Sequence, residues 1–148
     1  MNVLVVYDSV YGNTERIAQA IAAAVPEAKI RRAGEVSPAD LTGADVLFVG
    51  SPTQGGRPTP AMLEFLDKIP DGSLRKVKAA AFDTRLSTKW VGIFGYAAGK
   101  IAESLQAKGA TLLIAPHPFY VTGKEGPLKE GEAEHAGIWA KQTLGPAD

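Results

Sequence analysis

Short apolar runs recur along the chain and predict buried strands. NVLVVY (2–7), DVLFVG (45–50) and KVKAAAFDT (76–84) are largely apolar, and the first two are near-continuous runs typical of strands covered on both faces. KIRRAG (29–34) is weaker, and its charges predict an edge strand because they must reach water. TLLIAPHPFYV (111–121) predicts a last strand that two prolines interrupt. The pattern therefore predicts five strands.

Amphipathic segments lie between these runs and predict helices. Apolar residues at helical spacing between 17 and 25 predict a first helix, which Pro26 closes. Thr59 is expected to cap the next helix, with Pro60 at its first position. Further helices are predicted over 91–109 and within about 130–144. Alternating strands and helices predict an α/β fold with a mainly parallel sheet, in a single domain over 1–148.

Composition and charge narrow the possible functions. The 148 residues carry 16 Lys plus Arg against 16 Asp plus Glu, so there is no basic excess of the kind that binds nucleic acid or an anionic membrane. The sequence has no cysteine, which excludes disulfides, thiolate metal sites and cysteine nucleophiles and fits a reducing cytoplasm. The N-terminus has no basic region before its short apolar run, so we expect no signal peptide and a cytoplasmic protein.

Three polar loops follow predicted strands, at 8–14, 51–60 and 83–90. In open parallel sheets, ligands bind outside the carboxyl ends of the strands. The first loop leads into a helix, whose free N–H groups attract anions. Ser9, Asn13 and Thr14 add donors, but no lysine or arginine lies within 8–14. A phosphate held by dipoles and a plain turn are therefore equally compatible with this loop alone.

The other two loops also allow a purely structural interpretation. The prolines around TQGG (53–56) can simply stiffen a loop, and Trp90 can pack as the first core residue of the following helix. The nucleotide motifs GxxxxGK[ST] and GxGxxG are both absent from the sequence.

Together, the loops resemble those of the flavodoxin family. SVYGNT looks like the phosphate loop of that family, GSPTQGGRPTP is similar to its second loop, and FDTRL stands where the third would be. FYVTGKEGPLKEGEAEHAGIWA also looks like the closing segment of short flavodoxin-like proteins. The resemblance implies a three-layer α/β/α, doubly wound sheet of five parallel strands in the order 2-1-3-4-5, with FMN as cofactor.

The resemblance also implies roles for individual residues. The phosphate would lie among Ser9, Val10, Tyr11, Gly12, Asn13 and Thr14. The isoalloxazine ring would lie against Pro52, Thr53, Gln54, Gly55 and Gly56, with Asp83, Thr84 and Arg85 near its pyrimidine side and Trp90 over one face. A carbonyl within 54–56 could turn toward the flavin N5 after one-electron reduction, because glycine makes the flip easy.

The function implied is electron transfer between redox partner proteins, in a monomer or weak homodimer. The alternative is an FMN-dependent NAD(P)H:quinone-type oxidoreductase that transfers hydride, and a flavin-free domain of the same topology is a third possibility. Arg57, Arg85 and Lys89 lie in or beside the ring loops, and cations there are expected to raise the reduction potential of the flavin. No carboxylate pattern links His117 and His135, so we expect neither a metal site nor a catalytic triad from them.

Overall fold

Strands and helices alternate along the chain in the computed structural model, which describes residues 1–87 and 96–145. The elements in chain order are β1 (Val3–Tyr7), α1 (Asn13–Ala24), β2 (Lys29–Arg32), a 3₁₀ turn (Ala33–Glu35), α2 (Pro38–Thr42), β3 (Val46–Pro52), α3 (Pro60–Lys68), β4 (Lys78–Leu86), α4 (Ala97–Ala107), β5 (Thr111–Leu112), β6 (His117–Val121) and α5 (Glu132–Leu144). The part of the predicted 91–109 helix that the structure describes is α4, and residues 91–95 lie outside the described ranges.

The sheet is parallel and has the order β2-β1-β3-β4-β5, with β6 also pairing with β4. This confirms the predicted order 2-1-3-4-5. The predicted fifth strand is two short strands: β5 pairs with the start of β4, and β6 pairs with its end, from Phe82 to Leu86. The interruption includes Pro116, which has no N–H to donate to a sheet.

Two hydrophobic cores lie on opposite faces of this sheet. Because side chains alternate along a strand, Val5 and Phe48 pack with α1 and α5, while Leu47 and Val49 pack with α3 and α4. Each of these four strand residues is fully buried. The three-layer α/β/α architecture is therefore confirmed, and burial of both faces explains the near-continuous apolar strands.

The helix starts are largely those that the sequence predicts. Thr59 caps α3, since its hydroxyl accepts a hydrogen bond from the Met62 amide at 3.3 Å, and Pro60 is the first helical residue. The short helix α2 was not predicted, although Ser37 and Asp40 form a reciprocal capping box at its start. Among the described residues, no helix is both long and apolar enough to span a membrane.

Candidate functional site

A cavity of about 580 Å³ lies at the carboxyl ends of β1, β3 and β4. The order 2-1-3-4-5 brings these ends together at one edge of the sheet, so the loops that follow them converge. The lining residues are Ser9, Val10, Tyr11, Asn13, Thr14, Pro52, Thr53, Gln54, Gly55, Gly56, Thr84, Arg85, Leu86, Val121 and Lys124.

Most of the predicted site residues are thus brought together in one cavity. Gly12 and Asp83 are not among the lining residues, although each is next to residues that are. Trp90 lies outside the described residues, as does Lys89. Two of the described lining residues, Val121 and Lys124, were not predicted.

The first loop leaves the start of α1 without a side-chain cap. Its N-cap residue is Gly12, which has a φ of 89° and so adopts the left-handed conformation that glycine favours. The Gly12 amide donates to Ser9 Oγ at 3.1 Å, and the Gly12 carbonyl accepts from the Arg16 amide at 3.1 Å. The amides between them belong to the first turn of a twelve-residue helix, where N–H groups have no intrahelical acceptor. This end of the cavity is therefore suited to an anion.

A buried hydrogen bond joins the first loop to the third strand of the site. Thr14 Oγ1 and Thr84 Oγ1 are 2.8 Å apart, and both residues are buried. This bond fixes the start of α1 over the end of β4. It also means that the Thr14 hydroxyl has a protein partner and can still take part in a second hydrogen bond.

The second loop contains a tight turn at residues 54–57. The Gln54 amide donates to the Arg57 carbonyl at 2.8 Å, and the Arg57 amide donates to the Gln54 carbonyl at 3.1 Å. Gly55 and Gly56 have φ values of 57° and 79°. Positive φ at both central residues is the signature of a type I′ turn, which explains the glycine pair. The peptide between these two glycines takes part in neither of the two hydrogen bonds.

Asp83 and Arg85 form an ion pair at the end of β4. Arg85 Nε and Nη2 donate to the two carboxylate oxygens at 2.8 and 2.7 Å, and the side chains are 0% and 12% exposed. The carboxylate also accepts from the Ala98 amide at 2.9 Å, which fixes the start of α4. The guanidinium carbon lies 3.4 Å from the centre of the Tyr96 ring.

This pairing changes the expectation for the cations around the cavity. Arg85 lines the cavity, but its positive charge is balanced by Asp83 at bonding distance. Arg57 is exposed in the second loop. The predicted rise in the reduction potential was based on three cations near the ring. Arg85 should contribute less to it than a free cation would, because the field of a close ion pair falls off faster than that of a single charge.

The two histidines are neighbours in space, which the sequence interpretation did not anticipate. The rings of His117 and His135 have their centres 5.0 Å apart, and the His117 ring stacks on Trp139 at 5.3 Å. Burial lowers the pKa of His117 most strongly, and the charge of His135 lowers it further. No group of three metal-binding side chains occurs in the described part of the chain, and neither histidine lines the cavity.

Comparison with known proteins agrees with this geometry. A sequence model of the flavodoxin family matches residues 5–139. A search of curated proteins finds no match. Solved structures similar to this chain include oxidised Flavodoxin 1 from Bacillus cereus, with 22% identity, a TM-score of 0.79 and 100% of each chain covered.

Two further solved structures are similar over nearly the whole chain. Oxidised Flavodoxin 2 from Bacillus cereus has 22% identity and a TM-score of 0.80, with 97% of this chain and 98% of the other covered. A flavodoxin from the domain Archaea has 25% identity and a TM-score of 0.71, with 98% and 100% covered. The family model, which spans most of the chain, goes beyond this likeness of fold. The chain belongs to the flavodoxin family, whose members bind FMN and transfer electrons.

Proposed function

We propose that the cavity binds FMN non-covalently and that the protein carries electrons between redox partner proteins. The phosphate lies at the start of α1, and the isoalloxazine ring lies between the loops that follow β3 and β4. The observation that carries this proposal is that three loops far apart in sequence converge on one cavity at the carboxyl ends of the strands.

The cavity fits the size and chemistry of FMN. Its volume of about 580 Å³ lies within the range of about 300–1,000 Å³ that is usual for small-molecule sites. One end offers the uncapped first turn of α1 together with the hydroxyl of Ser9 and the side-chain amide of Asn13. The other end offers Pro52, Leu86 and the glycine turn, which are suited to a flat and largely apolar ring.

When bound, FMN supplies the redox chemistry, and the protein supplies orientation, hydrogen bonds and charge. The 54–57 turn gives the protein one adjustable group at the ring. Rotating the Gly55–Gly56 peptide converts a type I′ turn into type II′, in which only the first central residue needs positive φ. The two hydrogen bonds between Gln54 and Arg57 close the turn in both types. The Gly55 carbonyl can therefore reorient toward the ring without opening the loop.

The mouth of the cavity supports a role in contacting other proteins. Val10 and Tyr11 line the cavity yet remain 52% and 46% exposed. Exposed apolar side chains beside a redox site provide a surface on which a partner can approach the ring. The monomeric or weakly dimeric state and the cytoplasmic location stay predictions from the sequence.

The test is a visible spectrum of the purified protein, recorded during stepwise reduction. We expect a yellow protein, either as isolated or after incubation with FMN, that passes through a distinct one-electron form. A protein that acquires no flavin colour would contradict the proposal. Direct two-electron reduction, with NAD(P)H oxidised when a quinone is added, would instead support the oxidoreductase alternative.

A double variant tests where the phosphate lies. Ser9→Ala with Thr14→Ala should weaken FMN binding, because it removes two hydroxyls from the start of α1. Thr42→Ala is the matched control, since that exposed hydroxyl donates to the nearby Ala39 carbonyl and does not line the cavity. Equal FMN affinity in the double variant and the control would refute the phosphate assignment.

A further inference from the structure

The loop after β6, residues 122–127, folds back onto the start of α1. Asn13 Nδ2 donates to the Glu125 carbonyl at 3.1 Å. Gly126 lies so close to Asn13 that a Cβ there would be 2.5 Å from the side-chain amide oxygen. The loop is closed by its own hydrogen bonds, from the Gly126 amide to the Gly123 carbonyl at 2.9 Å and from the Thr122 amide to the Pro127 carbonyl at 2.8 Å. The anion end of the cavity therefore has a fourth wall.

This wall brings Lys124 into the cavity lining, and the next residue, Glu125, contacts Asn13 at the start of α1. Among the lining residues that the structure describes, Arg85 and Lys124 are the cationic ones. Arg85 is paired with Asp83, whereas the ion pairs found among the described residues do not include Lys124. Lys124 is thus the cation of the described lining whose charge is available to a ligand.

Two acidic residues of the first loop and α1, Asp8 and Glu15, already have side-chain partners. Asp8 binds Arg32 at 3.3 Å and accepts a hydrogen bond from Thr59 Oγ1. Glu15 accepts a hydrogen bond from the Tyr7 hydroxyl at 2.7 Å. These contacts reduce the competition that carboxylates would offer for a nearby ammonium group.

We propose that Lys124 binds the phosphate of the flavin and so makes the site discriminate FMN from riboflavin, which has no phosphate. The inference rests on the proposed function, because it assigns a further ligand-binding residue to the same cavity. A lysine ammonium binds phosphate as a point charge with three donors. The backbone that carries it is fixed against α1, so binding orders little more than the lysine side chain. The phosphate is therefore held by a charge as well as by the dipoles of the first loop.

The experiment compares variants of the full chain, freed of flavin, by titration with FMN and with riboflavin. Lys124→Met should weaken FMN binding about tenfold or more, as expected for the loss of one charge-assisted hydrogen bond. Its affinity for riboflavin should change by less than about twofold, since a charge that contacts only the phosphate contributes nothing there. Lys124→Arg should keep most of the FMN affinity.

Lys76→Met is the matched control, because it removes the same charge from an exposed residue just before β4, at the opposite end of the sheet. It should leave both affinities unchanged. Added salt should weaken FMN binding more steeply in the wild type than in Lys124→Met, since ions screen the pair that the variant lacks.

The outcomes separate this inference from the proposed function. A wild type that binds no FMN would refute the proposed function itself. A wild type that binds FMN while Lys124→Met binds it equally well, with the same salt dependence, would refute only the role of Lys124. Equal losses for FMN and riboflavin would also refute it, because Lys124 would then support the cavity as a whole and not the phosphate.

Discussion

The ion pair between Asp83 and Arg85 predicts unequal costs for removing its two partners. Asp83 is fully buried, whereas Arg85 is 12% exposed and lines the cavity. Arg85→Met leaves a buried carboxylate whose remaining donor, among the residues that the structure describes, is the Ala98 amide. Asp83→Asn leaves a guanidinium that can turn into the cavity and reach water. We therefore expect Arg85→Met to be the more destabilising substitution.

The magnitudes follow from burial. Two unit charges 4 Å apart interact by about 4 kcal/mol at the effective dielectric constant of a protein site. Breaking a buried pair by removing one partner costs about 3–5 kcal/mol, which is the range expected for Arg85→Met. Asp83→Asn keeps the shape and an acceptor oxygen for Ala98, so we expect a loss of about 1–3 kcal/mol. The double variant should be more stable than Arg85→Met, because it no longer buries an unpaired charge.

The assay is urea denaturation of the four proteins at pH 7 without flavin, since a bound ligand would add its own stabilisation. The double-mutant cycle should give a coupling energy of about 2 kcal/mol or more. Tyr96→Leu is the control for the cation–π contact, whose loss alone should cost about 1 kcal/mol or less. Additive losses, or a loss below about 1 kcal/mol for Arg85→Met, would refute the reasoning.

Three further predictions concern the scaffold. Thr59→Ala removes the cap of α3 and should lower the free energy of unfolding by about 0.5–2 kcal/mol in urea denaturation; an unchanged midpoint would contradict the capping role. Gly50→Ala places a Cβ 2.1 Å from the buried Phe82 ring and should lower the free energy of unfolding by about 1–3 kcal/mol or more. The control Gly34→Ala, whose Cβ would have no atom within 4 Å, should leave the free energy of unfolding nearly unchanged. The pKa of His117 is lowered in the folded state from about 6.5, so the unfolded state binds more protons and the free energy of unfolding falls as the pH drops below that value. His117→Gln should lose less stability over the same pH range. Identical pH profiles of stability for the two proteins would show that His117 is not the cause of the acid destabilisation.

The strands and the polar loops that follow them could be predicted because they depend on local patterns of sequence. Apolar runs predicted the strands, and the polar segments after them predicted which end of the sheet carries the site. The Asp83–Arg85 pair was within reach of the sequence, because residues two apart on a strand share a face. Helix α2 was missed because its five residues carry too short a pattern, although Ser37 and Asp40 have the spacing of a capping box.

Lys124 and the histidine contact depend on tertiary packing and not on local pattern. Lys124 lines the cavity because residues 122–127 fold onto the start of α1, more than a hundred positions away in sequence. Likewise, His117 and His135 meet because α5 packs beside β6. The absence of cations within 8–14 suggested a site without a charge for the phosphate, and the structure brings a candidate cation from elsewhere in the chain.

The outer strands of the sheet have a consequence for association between copies of the protein. At one side, β2 carries Lys29, Arg31 and Arg32 in a strand of only four residues. At the other side, β5 has two residues, and β6 contains Pro118, which cannot donate a backbone hydrogen bond. Both edges of the sheet thus resist its continuation into a second molecule, because charge, shortness and proline all oppose edge-to-edge pairing. We therefore expect the folded protein to have little tendency to add a second molecule through the edges of its sheet.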